Sequence, residues 1–312
     1  MERSFFSVYL LCSYSQGQVV SASTHHLSPC CSLYPAGRMG IELYLDLLSP
    51  PCRSVYIFAK KNNIPFTFKQ MEVLKGQQHS NGFGKVNILR KVPALKDGGF
   101  TLAESPAILT YLSQKYKTPD HWYPLDMKKR ARVDEYLSWH HSAIRSSVFK
   151  IFWLKNMDRT FCPRASTFAK GLEGLWFTKC LIDWRPLVVF PLYMDQTAPE
   201  EKLQEALEDL TIPLKQLEEK FLQDKPFLVG NMISLADLVA VTELMQLIAI
   251  GYNILEDMPK LVEWRNRVEK AVGKELFQEA HKVILNFQDL NSMLTEPQLK
   301  EQMKPRLLKM VA

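Results

Sequence analysis

The sequence predicts an α/β N-terminal domain followed by an all-α helical C-terminal domain. Two patterns carry that expectation. Between residues 39 and 118 the hydrophobic periods run strand, helix, strand, then a hairpin and a helix. After residue 119 the apolar spacing is three and four throughout, the signature of amphipathic helices. Composition supports both: 312 residues, 46% hydrophobic and 23% charged, is ordinary globular usage with enough chain for one large or two moderate cores. It excludes collagen-like, coiled-coil and disordered classes. No apolar run reaches the roughly 18 residues of a membrane-spanning helix, so a soluble protein without a membrane partner is expected.

The elements follow in order. Ile41–Leu45 alternates around Glu42 and Tyr44 and reads as a strand. Ser49-Pro50-Pro51 breaks it, and proline suits the first turn of the next helix. That helix carries Val55, Ile57, Phe58 and Ala59 and closes on Lys60 and Lys61, basic residues that match its dipole. Residues 66–73 read as a second strand, and Lys91-Val92-Pro93-Ala94-Leu95 leads into a third. Asp97-Gly98-Gly99 makes a hairpin turn, Phe100–Ala103 returns as a fourth strand, and a helix covers 105–116. A proline-closed linker, 117–124, ends this part.

Beyond it, Val133, Leu137, Ile144, Val148 and Phe152 stripe one long helix, with Trp139 and Trp153 alongside. Residues 200–222 form another, in which Pro213 predicts a kink. Ser234-Leu235-Ala236-Asp237 resembles a capping box, with Ile233 placed to staple onto Leu238 and Asp237 as a structural cap. Helices over Pro259–Val272, 274–287 and 296–310 complete the pattern.

Two segments fit neither pattern. Residues 1–38 are rich in Ser, Cys, Tyr and His, with no helical or strand period. The apolar run at 5–12 is too short for a convincing signal peptide, so this is read as an unstructured extension ahead of Met39. Residues 158–186 hold two Trp and two Cys, fit no amphipathic template, and read as an insertion in the helical domain spanning 119–312. These two pieces carry half of the +6 net charge, and no run of five or more like charges exists, so no nucleic-acid partner is expected. Their cysteines also leave Cys52 as the single thiol of the patterned chain, which reads as a reducing, cytoplasmic location. No Cys/His spacing suits a metal.

The βαβ–ββα unit joined to helices, with Val92-Pro93 before the third strand, resembles the glutathione transferase fold, whose N-terminal domain (39–118 here) is thioredoxin-like. Within that fold the segments GIELYLDLLSPPCRSVYIFAKKNNIPF, KVPALKDGGFTLAESPAILTYL, ARVDEYLSWHH after HWYP, NMISLADLVAVTELMQ and KLVEWRNRVEKAVGKELFQEAH are similar to theta-class segments in order. The resemblance covers about 39–157 and 187–285.

It implies roles for particular residues. Ser49, ahead of the first helix, would donate its hydroxyl to the glutathione thiolate, aided by the helix N-terminus. By local sequence alone a plain N-cap is the simpler reading. Val92 would offer backbone groups to the cysteinyl unit beside a cis proline. Glu104 and Ser105 would meet the γ-glutamyl end, although a helix cap uses the same positions. Lys91 would answer the glycyl carboxylate. Gln78 stands where the theta pattern has histidine, with His79 one step along, so either can make that glycyl contact. Arg145 would project from the long helix to stabilise charge on the leaving group or the thiolate, a solvated surface arginine being the rival. Trp153 and Met157 would line the electrophile pocket or simply pack in the core.

The expected function is conjugation of reduced glutathione, the co-substrate, to small hydrophobic electrophiles such as alkyl halides, epoxides or hydroperoxides, in a homodimer without metal. Two other readings stay open at this point. One is a catalytically silent glutathione-binding or disrupted form. The other is a thiol-disulfide oxidoreductase using Cys52, the last position of a Ser-x-x-Cys motif. Cys52 itself is expected to point into helix packing, and Arg53 is read as exposed, without a role.

Overall fold

Ile41, Leu43 and Leu45 are fully buried and Glu42 and Tyr44 half-exposed, the period of two that gives a strand one covered face. The structure, a computed structural model, describes residues 40–73, 75–156 and 200–286, with the side chains of Trp153, Leu154 and Asn156 left out. The extension 1–38, the segment 158–186, Met157 and the helix expected over 296–310 lie outside the described residues.

Strand β1 (Ile41–Leu45) pairs in parallel with β2 (Phe66–Gln70), Ile41 opposite Phe66 and Leu45 opposite Gln70. It pairs antiparallel with β3 (Ala94–Asp97), Tyr44 opposite Ala94, and β3 pairs antiparallel with β4 (Phe100–Ala103), Ala94 opposite Ala103. The order is β2-β1-β3-β4. A parallel neighbour requires a crossover, and helix α1 (Pro50–Lys61) supplies it. The β3–β4 turn passes through Gly98 at φ +61°, a conformation open to glycine at no steric cost.

The second strand ends at Gln70, earlier than the expected 66–73. Met71 still donates to the Leu45 carbonyl at 2.8 Å, but the Val73 amide turns away to the Asp46 carboxylate at 2.9 Å, which closes the ladder. A short helix, α2 (Asn81–Val86), was not expected, because two glycines in six residues weaken helical propensity. Its signal was Ser80, whose hydroxyl accepts from the Phe83 amide at 3.2 Å, with Phe83 buried beneath. Helix α3 (Ser105–Lys115) completes the sheet half.

The expected long helix is α4 (Met127–His140), a π turn at His141–Arg145, and α5 (Ser146–Asn156), with Val133, Leu137, Ile144 and Val148 buried as its stripe. Helix α6 (Glu200–Gln216) passes through buried Pro213 and is followed by a second π turn, Leu217–Leu222. Helices α7 (Leu235–Ile248), α8 (Pro259–Val272) and α9 (Lys274–Leu285) follow. Every residue of α7 from Leu235 to Leu247 is buried, so this helix is the axis of the core. Asp237 starts it as a cap. Its carboxylate accepts from the Ser234 amide and hydroxyl, the Leu228 amide and the Trp264 indole at 2.7–2.9 Å.

Helix α1 joins the sheet half to this core. The Phe58 ring meets Trp122 edge-on at 5.3 Å, Tyr56 donates to Glu279 on α9 at 2.6 Å, and the Ser54 and Thr242 hydroxyls lie 2.6 Å apart. The polar contacts sit within an apolar interface, which fixes the angle of α1 as well as its depth.

Candidate active site

The register gathers the sequence-predicted residues of the sheet half at one end of the sheet. Leu45 opposite Gln70 sends the loop to Ser49 and the loop carrying Gln78 and His79 off the same edge. Tyr44 opposite Ala94, and Ala94 opposite Ala103, put Val92 and Glu104 at that edge as well. Strand pairing alone therefore converges chain positions that are more than fifty residues apart.

Ser49 is the N-cap of α1, half-buried, in extended backbone at φ −86° and ψ 124°. Pro50 and Pro51 bring no amide hydrogens to the first turn. The first amides available, those of Cys52 and Arg53, both donate to the Ser49 carbonyl at 3.0 and 3.1 Å. The hydroxyl consequently makes no capping bond to the backbone and lies beside the Cys52 thiol. Cys52 is fully buried, and burial pushes its thiol up to about 12. Thiolate is then scarce at neutral pH, which removes the nucleophile that a disulfide oxidoreductase needs.

The loop before Ser49 is held from two sides. Asp46 Oδ1 accepts from the Leu48 amide at 3.0 Å and Oδ2 from the Val73 amide at 2.9 Å. Arg53 Nη1 donates to the Leu47 and Leu48 carbonyls, both at 2.9 Å. Arg53 is therefore not the exposed, roleless residue expected; it is fully buried. Its Nη2 donates to the Thr242 carbonyl at 3.0 Å and Gln246 Oε1 at 2.6 Å on α7. Burial pushes its guanidinium down to about 9, opposed chiefly by the charge of Glu243, so it stays cationic at neutral pH. A cation inside the apolar run of α1 was the one sequence signal for this anchor.

The Val92–Pro93 peptide bond is cis, with Val92 partly buried against the core. Lys91 is exposed, and its carbonyl accepts from Asn87 Nδ2 at 2.8 Å. Glu104 is exposed and sits at φ 67°, ψ 116°, ahead of buried Ser105 at the start of α3. A glutamate in the left-handed region is uncommon and strained, and such outliers cluster at ligand clamps. The helix-cap alternative for Glu104 is not used: its side chain makes no capping bond. On the neighbouring loop, His79 is exposed, whereas Gln78 has a buried Oε1 without a hydrogen-bond partner. An amide whose oxygen and nitrogen can exchange places presents an unspent donor there. Arg90 pins this loop, with Nη1 donating to the His79 and Ser80 carbonyls at 2.5 and 3.0 Å.

Arg145 closes the π turn between α4 and α5, about a quarter exposed, and its Nη1 donates to Glu243 Oε1 on α7 at 2.7 Å. It is therefore an anchored cation, not a freely solvated one. The Trp153 side chain and Met157 lie outside the described residues. Among the described residues no cluster of His, Cys, Asp or Glu has the makings of a metal site, and no helix is long and apolar enough to cross a membrane.

Comparison with known proteins places this arrangement. Residues 43–120 match the glutathione S-transferase N-terminal domain and residues 183–271 the glutathione S-transferase C-terminal domain. Glutathione S-transferase theta-1 of Gallus gallus is 51% identical over 292 residues, spanning 88% of this chain and 100% of that protein. The theta-1 protein of Homo sapiens is 48% identical over 273 residues, with the same shares. The apo structure of human glutathione S-transferase T1-1 superposes with a TM-score of 0.72 at 47% identity, over 88% of this chain and 100% of that one. The chain belongs to the theta class of the glutathione S-transferase family, a family of enzymes.

Proposed function

We propose that this chain conjugates reduced glutathione to small hydrophobic electrophiles, with Ser49 stabilising the attacking thiolate. The observation that carries the reading is the Ser49 hydroxyl, half-buried at a helix N-terminus and not spent on the helix backbone. A hydroxyl there can donate to a sulfur anion, and the positive end of α1 adds to its effect. Lowering a thiol from its ordinary pKa of about 8.5 makes thiolate abundant at neutral pH. The thiol proton leaves to solvent, the sulfur attacks the electrophilic carbon of a halide or epoxide, and the carbon–halide or carbon–oxygen bond breaks as the carbon–sulfur bond forms. With a hydroperoxide the sulfur attacks the outer oxygen, the oxygen–oxygen bond breaks to release the alcohol, and a second glutathione converts the sulfenic acid to the disulfide and water. Arg145 would meet the charge that develops on the leaving group.

Relatives support the substrate class. One solved structure is human theta-2 in complex with glutathione, and another is a human theta-class enzyme in complex with the glutathione conjugate of 1-menaphthyl sulfate. For this chain, Glu104 and Ser105 would take the γ-glutamyl end, Val92 the cysteinyl backbone, and Lys91 with Gln78 or His79 the glycyl carboxylate. Alkyl halides, epoxides and hydroperoxides are the electrophiles proposed, in a cytoplasmic homodimer that uses no metal. A conjugation assay on such a panel, with the full chain and with a form lacking 158–186, tests the reading. Turnover that rises on deletion is expected. Glutathione binding without turnover in either form would instead identify a silent binding protein.

A further inference from the structure

Glu243 carries a carboxylate that is 3% exposed, and no role assigned so far requires a charge so far from water. Two arginines act on it, one by contact and one by its charge. Arg145 Nη1, from the π turn, donates to its Oε1 at 2.7 Å. Arg53, from α1, contributes the second favourable charge. Arg53 has no freedom of its own, since both its terminal nitrogens are spent on the Leu47, Leu48 and Thr242 carbonyls and on Gln246. The carboxylate therefore lies in the field of a fixed cation and presents an oxygen to Arg145, a cation that no other hydrogen bond among the described residues holds. An arginine side chain about a quarter exposed samples many rotamers unless a partner selects one. A buried pair selects far more strongly than a surface pair, because neither solvent nor salt competes for the carboxylate.

We propose that Glu243 is a positioning residue for the conjugation reaction, its buried carboxylate fixing the guanidinium of Arg145 in the place from which that group acts on charge developing at the sulfur or the leaving group. The inference rests on the proposed roles of Ser49 and Arg145. The rival is a merely structural tie between α7 and the π turn, which would strengthen packing without regard to chemistry. The two differ in where the energy shows: positioning lowers kcat through Arg145, whereas a structural tie lowers stability alone or damages the site independently of Arg145.

Steady-state kinetics on the full chain separate them through a cycle of Glu243→Gln, Arg145→Ala and the double variant. Glu243→Gln should lower kcat about tenfold while KM for glutathione stays within about twofold. Placed on Arg145→Ala, it should cost no further turnover, since its partner is gone. Additive losses in the double variant, or an unchanged kcat in Glu243→Gln, would overturn the proposal. If Glu243→Gln does not fold by circular dichroism, Glu243→Asp keeps the charge and withdraws it by one methylene. That variant should show the same kcat loss, again abolished on the Arg145→Ala background, and native turnover would overturn the proposal equally. Full activity in Arg145→Ala would sink this inference and leave the Ser49 reading standing. No turnover in the unaltered chain would sink both.

Discussion

Ser49 and Ser234 each open a helix from extended backbone, and the two helices they open, α1 and α7, pack against one another. Their surroundings are opposite. Ser234 is 1% exposed, with its amide and hydroxyl both given to Asp237, whose remaining oxygen takes the Leu228 amide and the Trp264 indole. Ser49 is followed by two prolines, has no acid three residues on, and keeps its hydroxyl off the backbone. One helix start is saturated and the other is left with chemistry to spare. Saturation gives stability; a hydroxyl kept off the helix backbone and held by a rigid loop gives a place for a ligand.

If that contrast is right, the two starts fail differently. The largest effect is expected at the saturated one. Asp237→Ala removes the acceptor of four buried donors, and breaking such a network costs about 3–5 kcal/mol. The variant should unfold at markedly lower denaturant concentration, and any that remains folded should keep its affinity for glutathione. A native midpoint would erase the contrast.

At the other start the loss should fall on turnover. Ser49→Ala gives up one donor to the thiolate, worth a hundredfold or about 3 kcal/mol in rate, with the unfolding midpoint unmoved because no capping bond is lost. Unchanged kcat would take Ser49 out of the mechanism. Glu104 sharpens the same point by a smaller margin. Its exposed carboxylate makes no capping bond, so Glu104→Ala should weaken glutathione binding about tenfold by calorimetry, as expected for one charge-assisted hydrogen bond, and leave the electrophile range alone. Equal affinity in both proteins would free Glu104 from that role.

The contrast also explains what was legible in the sequence. The strands and helices read from period and punctuation, because alternation around Glu42 and Tyr44 and the stripe from Val133 to Val148 are local patterns. Ser234 and Asp237 read as a cap for the same reason. Helix α2 did not, since its glycines mask a single buried Phe83. Arg53 was misread because its partners are Thr242 and Gln246, residues nearly two hundred positions away. Glu243 was invisible for the same cause, its meaning lying wholly in Arg145 and Arg53. The site roles came from the resemblance to theta-class segments, since local rules alone leave Ser49 a plain cap, while the residues that anchor the Ser49 loop and Arg145 depend on tertiary neighbours.

Acid offers the gentlest test, because the helical half hides histidines that the site does not use. His281 on α9 is fully buried, with Nδ1 beside the Phe277 carbonyl at 2.7 Å and Nε2 unpartnered. Burial and the nearby charges of Arg53 and Arg265 push its imidazole down to about 3, while burial pushes that of His140 down to about 4. The unfolded chain binds a proton below about pH 6.5 that the folded chain refuses, so stability is complete above that value and falls as pH drops toward the folded pKa. The slope is about 1.4 kcal/mol per pH unit for each histidine. Asp46, Asp237 and Glu243, whose carboxyls burial pushes up, act with the opposite sign and obscure the total. Comparison with His281→Gln cancels them, since they titrate alike in both proteins. Measured by urea unfolding from pH 7.5 to pH 5, the advantage of the unaltered chain over His281→Gln should be constant near pH 7.5 and shrink by about 1.4 kcal/mol per unit below about pH 6.5. An advantage that stays constant down to pH 5 would mean that His281 titrates in the folded protein as it does in the unfolded one, and that its burial carries no cost in charge.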